Sequence, residues 1–304
     1  MQDHRSIGRE RLFDVSNTFE VPRVECPSRG ELEEHFIGPQ RPVVISGATQ
    51  GWPALERWTN DYLTEKIGAR PLSPSKVTTA GTHIPDAKSG TMASASEMKF
   101  AEYIDLLASG AISDGELYAV QLPIETALPE LWPDVRFPAF VDEDKFAAVN
   151  LWFGPGNNFT SLHYDYADNF LTQVRGKKQV MLCPPREIAR VYPYPFGYIG
   201  NNLSRVNVAD PDLAEFPDWA DADRAVVELG PGDMLYIPLF WWHAVWGVGE
   251  NMSINYWWQS SYANFLKHPR QTARWLGSVA AGVRGAASQV VQNVASSAGL
   301  QTVR

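Results

Sequence analysis

Over the second half of the chain apolar and polar positions alternate in short runs. Val149 to Phe153, Asn169 to Val174 and Lys178 to Cys183 read as short strands, divided by Gly154-Pro155-Gly156 and by Arg175-Gly176. Val226 to Leu229, Met234 to Ile237, Trp242 to Val248 and Met252 to Trp258 follow. Their turns are Gly230-Pro231-Gly232-Asp233 and Gly249-Glu250-Asn251. Many short strands with regular turn signals predict an antiparallel sandwich or barrel. There is no internal repeat and no alternation of strands with helices.

The first half carries a different pattern. Ser28 and Glu31 have capping-box spacing for a short helix through Phe36, closed near Gly38. Arg41 to Gly47 reads as a strand, and Tyr62 to Ile67 as a helix stopped by Gly68. Lys76 to Met92 is polar and rich in Thr and Gly, and is either a hairpin or a mobile loop. Ser94 and Glu97 form a second capping pattern. Behind it Phe100, Tyr103, Ile104 and Leu107 take the i, i+3, i+4, i+7 spacing of an amphipathic helix. Leu117 to Leu122 is a strand candidate.

Beyond Ser261 the texture changes again. Asn264 to Leu276 reads as helical, with Pro269 a break or restart. Val279 to Val303 is rich in Ala, Ser and Val, and is either an oligomer interface or a frayed end. The chain thus divides into an N-terminal arm with a short helix (1–40), a mainly β domain with an N-terminal α/β elaboration (41–260) and a helical tail (261–304). The tail makes a homodimer the expected assembly.

Composition narrows the class. The 304 residues are 44% hydrophobic and 20% charged, the make-up of a globular chain with a sizeable core. A formal net charge of −9 argues against a dedicated nucleic-acid binder. Two cysteines, Cys26 and Cys183, fit a reducing compartment better than a disulfide framework or a cysteine zinc site. Met1 to Leu12 is charged, and no run is apolar enough for a membrane span, so a cytoplasmic location is expected. Five of the 11 tryptophans (Trp241, Trp242, Trp246, Trp257 and Trp258) crowd one stretch. Core packing is the plainer reading of that cluster.

Candidate chemistry sits in His163-Tyr164-Asp165 and in Pro238-Leu239-Phe240-Trp241-Trp242-His243. Two histidines and a carboxylate are the ligand set that leaves open positions on a non-haem Fe(II), where O2 and an organic co-substrate can both bind. In extended chain His163 and Asp165 point to one face. His243 arrives from a later strand. A lone HxD tripeptide occurs by chance, so the weight falls on its surroundings. Neither HExxH nor a cysteine pattern points to a zinc hydrolase, and GxSxG is absent.

Those surroundings are Asn158 to Asp165, Asn169-Phe170, Gly176-Lys177-Lys178 and Pro184-Pro185. Further on come Gly230 to Pro238, Trp241-Trp242-His243 and Asn255-Tyr256-Trp257. Together they resemble the jumonji-C group of Fe(II)/2-oxoglutarate oxygenases. Within it the chain is most similar to the factor-inhibiting-HIF type of protein hydroxylase, through Tyr192-Pro193-Tyr194-Pro195 and the stretch Asp210 to Pro217. The likeness runs from about Arg41 to Gln259.

The resemblance implies a mainly β, double-stranded β-helix (jelly-roll, cupin-like) core with flanking helices, and Fe(II) held by His163, Asp165 and His243. It also implies 2-oxoglutarate and O2 as co-substrates. Lys178, Thr160 and Tyr118 match positions that hold the far carboxylate of 2-oxoglutarate, lysine as a point charge. Lys177 is the adjacent competitor, but alternation turns it to the other face. Asn169, Asn255 and Trp257 match pocket-lining positions. Asp233, beside glycine, reads as a turn residue. The implied reaction hydroxylates a C–H bond and releases succinate and CO2. Its substrate is a protein or peptide side chain, with a free amino acid, a small metabolite or a methylated lysine as alternatives. A non-catalytic cupin-like sensor is disfavoured by the intact ligand set. The Arg-Gln pair that holds a target amide in the asparaginyl hydroxylase is missing. Gly200-Asn201-Asn202-Leu203-Ser204-Arg205 stands in its place, with Asn201, Asn202 and Arg205 as candidate substitutes.

Overall fold

The computed structural model describes residues 13, 17–78, 82–83, 85–112 and 115–297. The charged N-terminal dozen and the last residues of the apolar tail lie outside the described residues. The strands are β1 (Arg23–Glu25), β2 (Val43–Ser46), β3 (Pro71–Leu72), β4 (Ser75–Lys76), β5 (Met98–Lys99) and β6 (Leu117–Pro123). After them come β7 (Phe146–Gly154), β8 (Phe159–His163), β9 (Asp168–Cys183), β10 (Ala225–Leu229), β11 (Met234–Ile237) and β12 (Trp242–Trp258). The helices are α1 (Arg29–Leu32), α2 (Pro53–Arg57), α3 (Asn60–Ile67), α4 (Phe100–Ala108), α5 (Ile124–Ala127), α6 (Tyr262–Lys267) and α7 (Pro269–Ser297).

Two expected turns are not turns. Strand β9 runs through Arg175-Gly176 and β12 runs through Gly249 to Asn251, each as one bent strand. Their pairing shifts register between Val248 and Met252, which marks a bulge. Gly176 sits at φ +65°, and a Cβ there would lie 2.1 Å from the Glu250 carbonyl oxygen. Glycine thus lets the two backbones cross closely, so the sheet bends where the sequence predicts it to end.

The bend makes the core. The first half of β9 and the second half of β12 pair with each other, with β11 and with β7. The outer halves pair with each other and with β10 and β8. Two sheets that share two long strands enclose one interior, the arrangement expected of a double-stranded β-helix. The outer face of the first sheet (Phe153, Phe170, Ile254, Tyr256) packs against Phe100 and Tyr103 of α4 and Leu63 of α3. The outer face of the second (Met181, Trp242, Ala244, Trp246) packs against Phe265 of α6. Each large apolar side chain so buried contributes about 2 kcal/mol.

Smaller corrections concern the flanks. The Ser28–Glu31 capping box is present, but the turn after α1 is a π-turn, Glu33–Ile37. The Ser94–Glu97 pair does not cap α4. Met98–Lys99 pairs with β3, and the Lys99 backbone N–H donates to Glu102 (3.1 Å), so the helix starts one turn later. Part of the stretch Lys76 to Met92 lies outside the described residues. Its described ends come together as a hairpin's do, with Ser75 bridged antiparallel to Ser94 and the Lys76 N–H donating to Ala93 O (2.7 Å), and Thr82 and His83 within it are buried. Pro269 restarts the tail at the first turn of α7. This helix leaves Leu276, Val279 and Val283 exposed. No helix among the described residues is long and apolar enough to cross a membrane.

Candidate active site

Inside the two sheets the usual alternation is inverted. Along β12, Met252, Ile254 and Tyr256 face outward into the helices, while Ser253 is buried with no exposure and Asn255 and Trp257 face the interior. Across β7 and β9 the inward positions include Trp152, Asn169 and Lys178. One end of the interior is an apolar plug of Val180, Leu182, Leu229 and Leu235. The other is a cavity of about 280 Å³ whose lining mixes polar side chains (Tyr118, Thr160, Asn169, Lys178 and Asn255 among them) with apolar ones such as Leu171, Ile237 and Val245. The hydrophobic effect explains the plug, and buried polar groups around a cavity call for a polar occupant.

His163 ends β8, Asp165 follows it, and His243 lies at the start of β12. The two histidines are Cα partners across the β8–β12 pairing. Their ring centroids are 4.2 Å apart. The Asp165 carboxylate lies 3.9 Å from His163 Nε2 and 3.7 Å from His243 Nε2. One donor atom from each residue falls within 4.8 Å of the other two. Each imidazole Nδ1 faces the carbonyl two residues back: Ser161 O at 2.8 Å and Trp241 O at 3.0 Å. Those carbonyls accept from Nδ1–H and leave the Nε2 lone pairs facing Asp165. Such outer contacts fix a ligating histidine's tautomer. Burial, with the neighbouring His163, pushes His243 down to about 4, so its imidazole is neutral near pH 7. The Phe240 backbone N–H donates to Asp165 O (3.2 Å), which ties the carboxylate's segment to the loop before β12.

Lys178 is 1% exposed. Its ammonium donates to Tyr118 Oη at 3.2 Å and to Ser253 Oγ in a short contact, and no carboxylate pairs with it among the described residues. Burial pushes it down to about 7. Neighbouring Lys177 faces outward and pairs with Glu228 at 3.1 Å. Thr160 lines the same cavity. It stands three residues before His163, which strict alternation would place on the opposite face. A register shift in the β8–β12 pairing, where Val245 meets Thr160 and His243 meets His163, brings both inward.

Asn169, Asn255 and Trp257 also line the cavity, and Asn169 Oδ1, Asn255 Oδ1 and Trp257 Nε1 are buried without a hydrogen-bond partner. Trp242, Trp246 and Trp258 pack in the apolar clusters. Asp233 is a turn residue, accepting from the Gly230 N–H at 2.8 Å. Of the three candidate substitutes for the missing Arg-Gln pair, only Asn202 reaches the cavity. Asn201 is buried and donates to Arg274 O at 2.8 Å. Sequence reasoning missed Ser253, Trp152 and His83 around the cavity. Ser253 was within reach, being two residues before Asn255 in an alternating strand.

The ligand geometry and the buried unpaired ammonium fit a divalent metal with an anionic co-ligand: three N/O donors converge, and a cation waits across the cavity. The fold and site together define a cupin-like protein with a candidate metal site. Residues 29–264 match the Cupin-like domain family, and the chain belongs to that family, in its jumonji-C branch. It is 36% identical to Lysine-specific demethylase 8 of Danio rerio, over 80% of this chain and 59% of that protein. It is 27% identical to Jumonji C domain-containing protein 5 of Drosophila melanogaster, over 82% and 62%. To tRNA wybutosine-synthesizing protein 5 of Homo sapiens it is 31% identical, over 76% of each chain. The chain thus spans about three fifths of the length of the first two relatives. None of the three is of the factor-inhibiting-HIF type by name.

Proposed function

We propose that this chain is an Fe(II)- and 2-oxoglutarate-dependent dioxygenase that hydroxylates a C–H bond on a protein or peptide side chain, with release of succinate and CO2. His163, Asp165 and His243 would hold the iron. When bound, iron with 2-oxoglutarate and O2 supplies the oxidising power for an unactivated C–H bond. The protein's part is placement. Lys178 is the observation that carries this reading: a buried ammonium, held by Tyr118 and Ser253, has no counter-ion until a carboxylate enters. Thr160 adds a hydroxyl to the same pocket. Trp257 offers its unpaired indole N–H to the bound diacid, and Asn169 and Asn255 line the same pocket. The apolar plug seals the inner end, and the substrate enters between Met92, Ile199 and Leu203.

The test is succinate formation by anaerobically Fe(II)-loaded protein on exposure to O2, wild type beside Asp165→Ala. Turnover that vanishes in the variant is expected, with stimulation by a peptide panel exceeding that by a metabolite panel. Wild-type protein that binds neither Fe(II) nor 2-oxoglutarate would sink the proposal. A second reading, N-demethylation of a methylated lysine, is favoured by the name of the Danio rerio relative. Formaldehyde released in step with succinate would select it.

A further inference from the structure

An open groove runs from the mouth of the cavity towards α7, and its outer part is basic in an acidic molecule; the depression nearer the mouth also holds Asp86, whose carboxylate accepts from the Lys88 and Ser89 backbone N–H groups. Pro85 and Leu203 line both the cavity and the shallow depression beside it. Arg205 lines both that depression and the groove beyond, where Arg270 and Arg274 join it. The groove walls are apolar, formed by Ile188 and Pro193 among others.

The three guanidiniums are not equivalent. Arg274 is committed: its Nη2 donates to Asn201 O at 2.7 Å and to Tyr194 O, which ties the mouth segment to α7. Arg205 and Arg270 are exposed, and neither has a carboxylate partner among the described residues. Arg205 lies over the Phe216 ring at 5.3 Å, which orients its guanidinium without neutralising it. Arg190, by contrast, is paired with Glu187 at 2.9 Å, as is usual in a chain of net charge −9. The first turn of α7, which holds Arg270, has no acidic residue to meet its helix dipole.

Position adds to charge. Leu203 bridges to His163 in antiparallel fashion. Arg205 stands two residues further on, about 7 Å along extended chain. An extended segment with its target side chain in the cavity would therefore pass the two free arginines within a few residues.

We propose that this groove docks an acidic segment of a polypeptide substrate, with Arg205 and Arg270 pairing with carboxylates or phosphates that flank the target residue. This rests on the oxygenase reading above and specifies its substrate class. Peptide is favoured over nucleic acid because two free guanidiniums between apolar walls suit one or two acidic side chains. The rest of the molecule would repel a polyanion.

The test uses two fluorescein-labelled decapeptide libraries that differ only in fixed positions, Glu in one and Lys in the other. Each is titrated by anisotropy against the full chain, with and without anaerobic Fe(II) and 2-oxoglutarate. Wild type is compared with R205E/R270E and R205A/R270A. Wild type is expected to prefer the Glu library by about fivefold or more, as each exposed charge pair contributes up to about fivefold. The alanine variant should lose that preference and the glutamate variant invert it. Equal binding of the two libraries by wild type, or a preference unchanged in both variants, would overturn the proposal. So would a single-stranded oligouridylate that displaces the Glu library and loses binding in the variants, since the groove would then be one for nucleic acid. If Fe(II) and 2-oxoglutarate do not bind, the oxygenase reading fails on that ground, while the cofactor-free titrations still decide the groove.

Discussion

Replacing Lys178 by methionine is expected to make the protein more stable and unable to bind 2-oxoglutarate. The side chain is wholly enclosed, and burial drops its ammonium from 10.5 to about 7. A drop of that size costs the charged form about 4 to 5 kcal/mol in the folded protein. Methionine fills a similar volume without a charge. It forfeits the hydrogen bonds to Tyr118 and Ser253, at about 1 kcal/mol each. The net expectation is a gain of roughly 2 kcal/mol near pH 7, a rise of a few degrees in Tm. The pH dependence has a definite sign. The folded pKa lies below the unfolded one, so the lysine's penalty is fully present below about pH 7 and fades as pH rises towards 10.5. The advantage of Lys178→Met should shrink over that window and end as a small deficit. Thermal unfolding between pH 6.5 and 10, with and without 2-oxoglutarate, measures both effects. Wild type should gain Tm with 2-oxoglutarate and the variant should not. A variant less stable than wild type at pH 7, or one still stabilised by 2-oxoglutarate, would refute the reading of Lys178 as an anion anchor held at a cost in stability.

Three further outcomes follow from the same geometry. Asp165→Ala should weaken Fe(II) binding by roughly a hundredfold or more, seen by anaerobic titration, because it removes the only charged member of the ligand set. Ser253→Ala should weaken 2-oxoglutarate binding by about tenfold and leave Fe(II) affinity near wild type, since Ser253 touches Lys178 and is not among the three converging ligands. Equal losses for both ligands would show that Ser253 acts only through folding. Gly176→Ala should cost about 3 kcal/mol or more in chemical denaturation and Gly249→Ala only about 1 kcal/mol. Both sit at φ above +60°, but a Cβ at Gly176 meets the Glu250 backbone and one at Gly249 meets nothing within 4 Å. Similar costs would remove the crossing as the reason for the bend.

The sequence alone specified most strand segments of the core, though not β8, together with the amphipathic α4 and the order His163, Asp165, His243, because period-2 and period-3.6 patterns and HxD spacing are local properties. Alternation also separated Lys178 from Lys177. The sequence did not show that Arg175-Gly176 and Gly249 to Asn251 bend two long strands instead of ending four short ones. A positive-φ glycine marks a turn and a bulge alike, and only the opposing backbone distinguishes them. The shift in β8 that turns Thr160 to the side of His163, the missing carboxylate beside Lys178, and the meeting of Arg205 with Arg270 were likewise invisible. Each depends on which distant segment packs alongside, and tertiary packing decides that because the chain must bury its apolar faces against the flanking helices and in the inner plug while leaving a cavity with polar groups between the sheets.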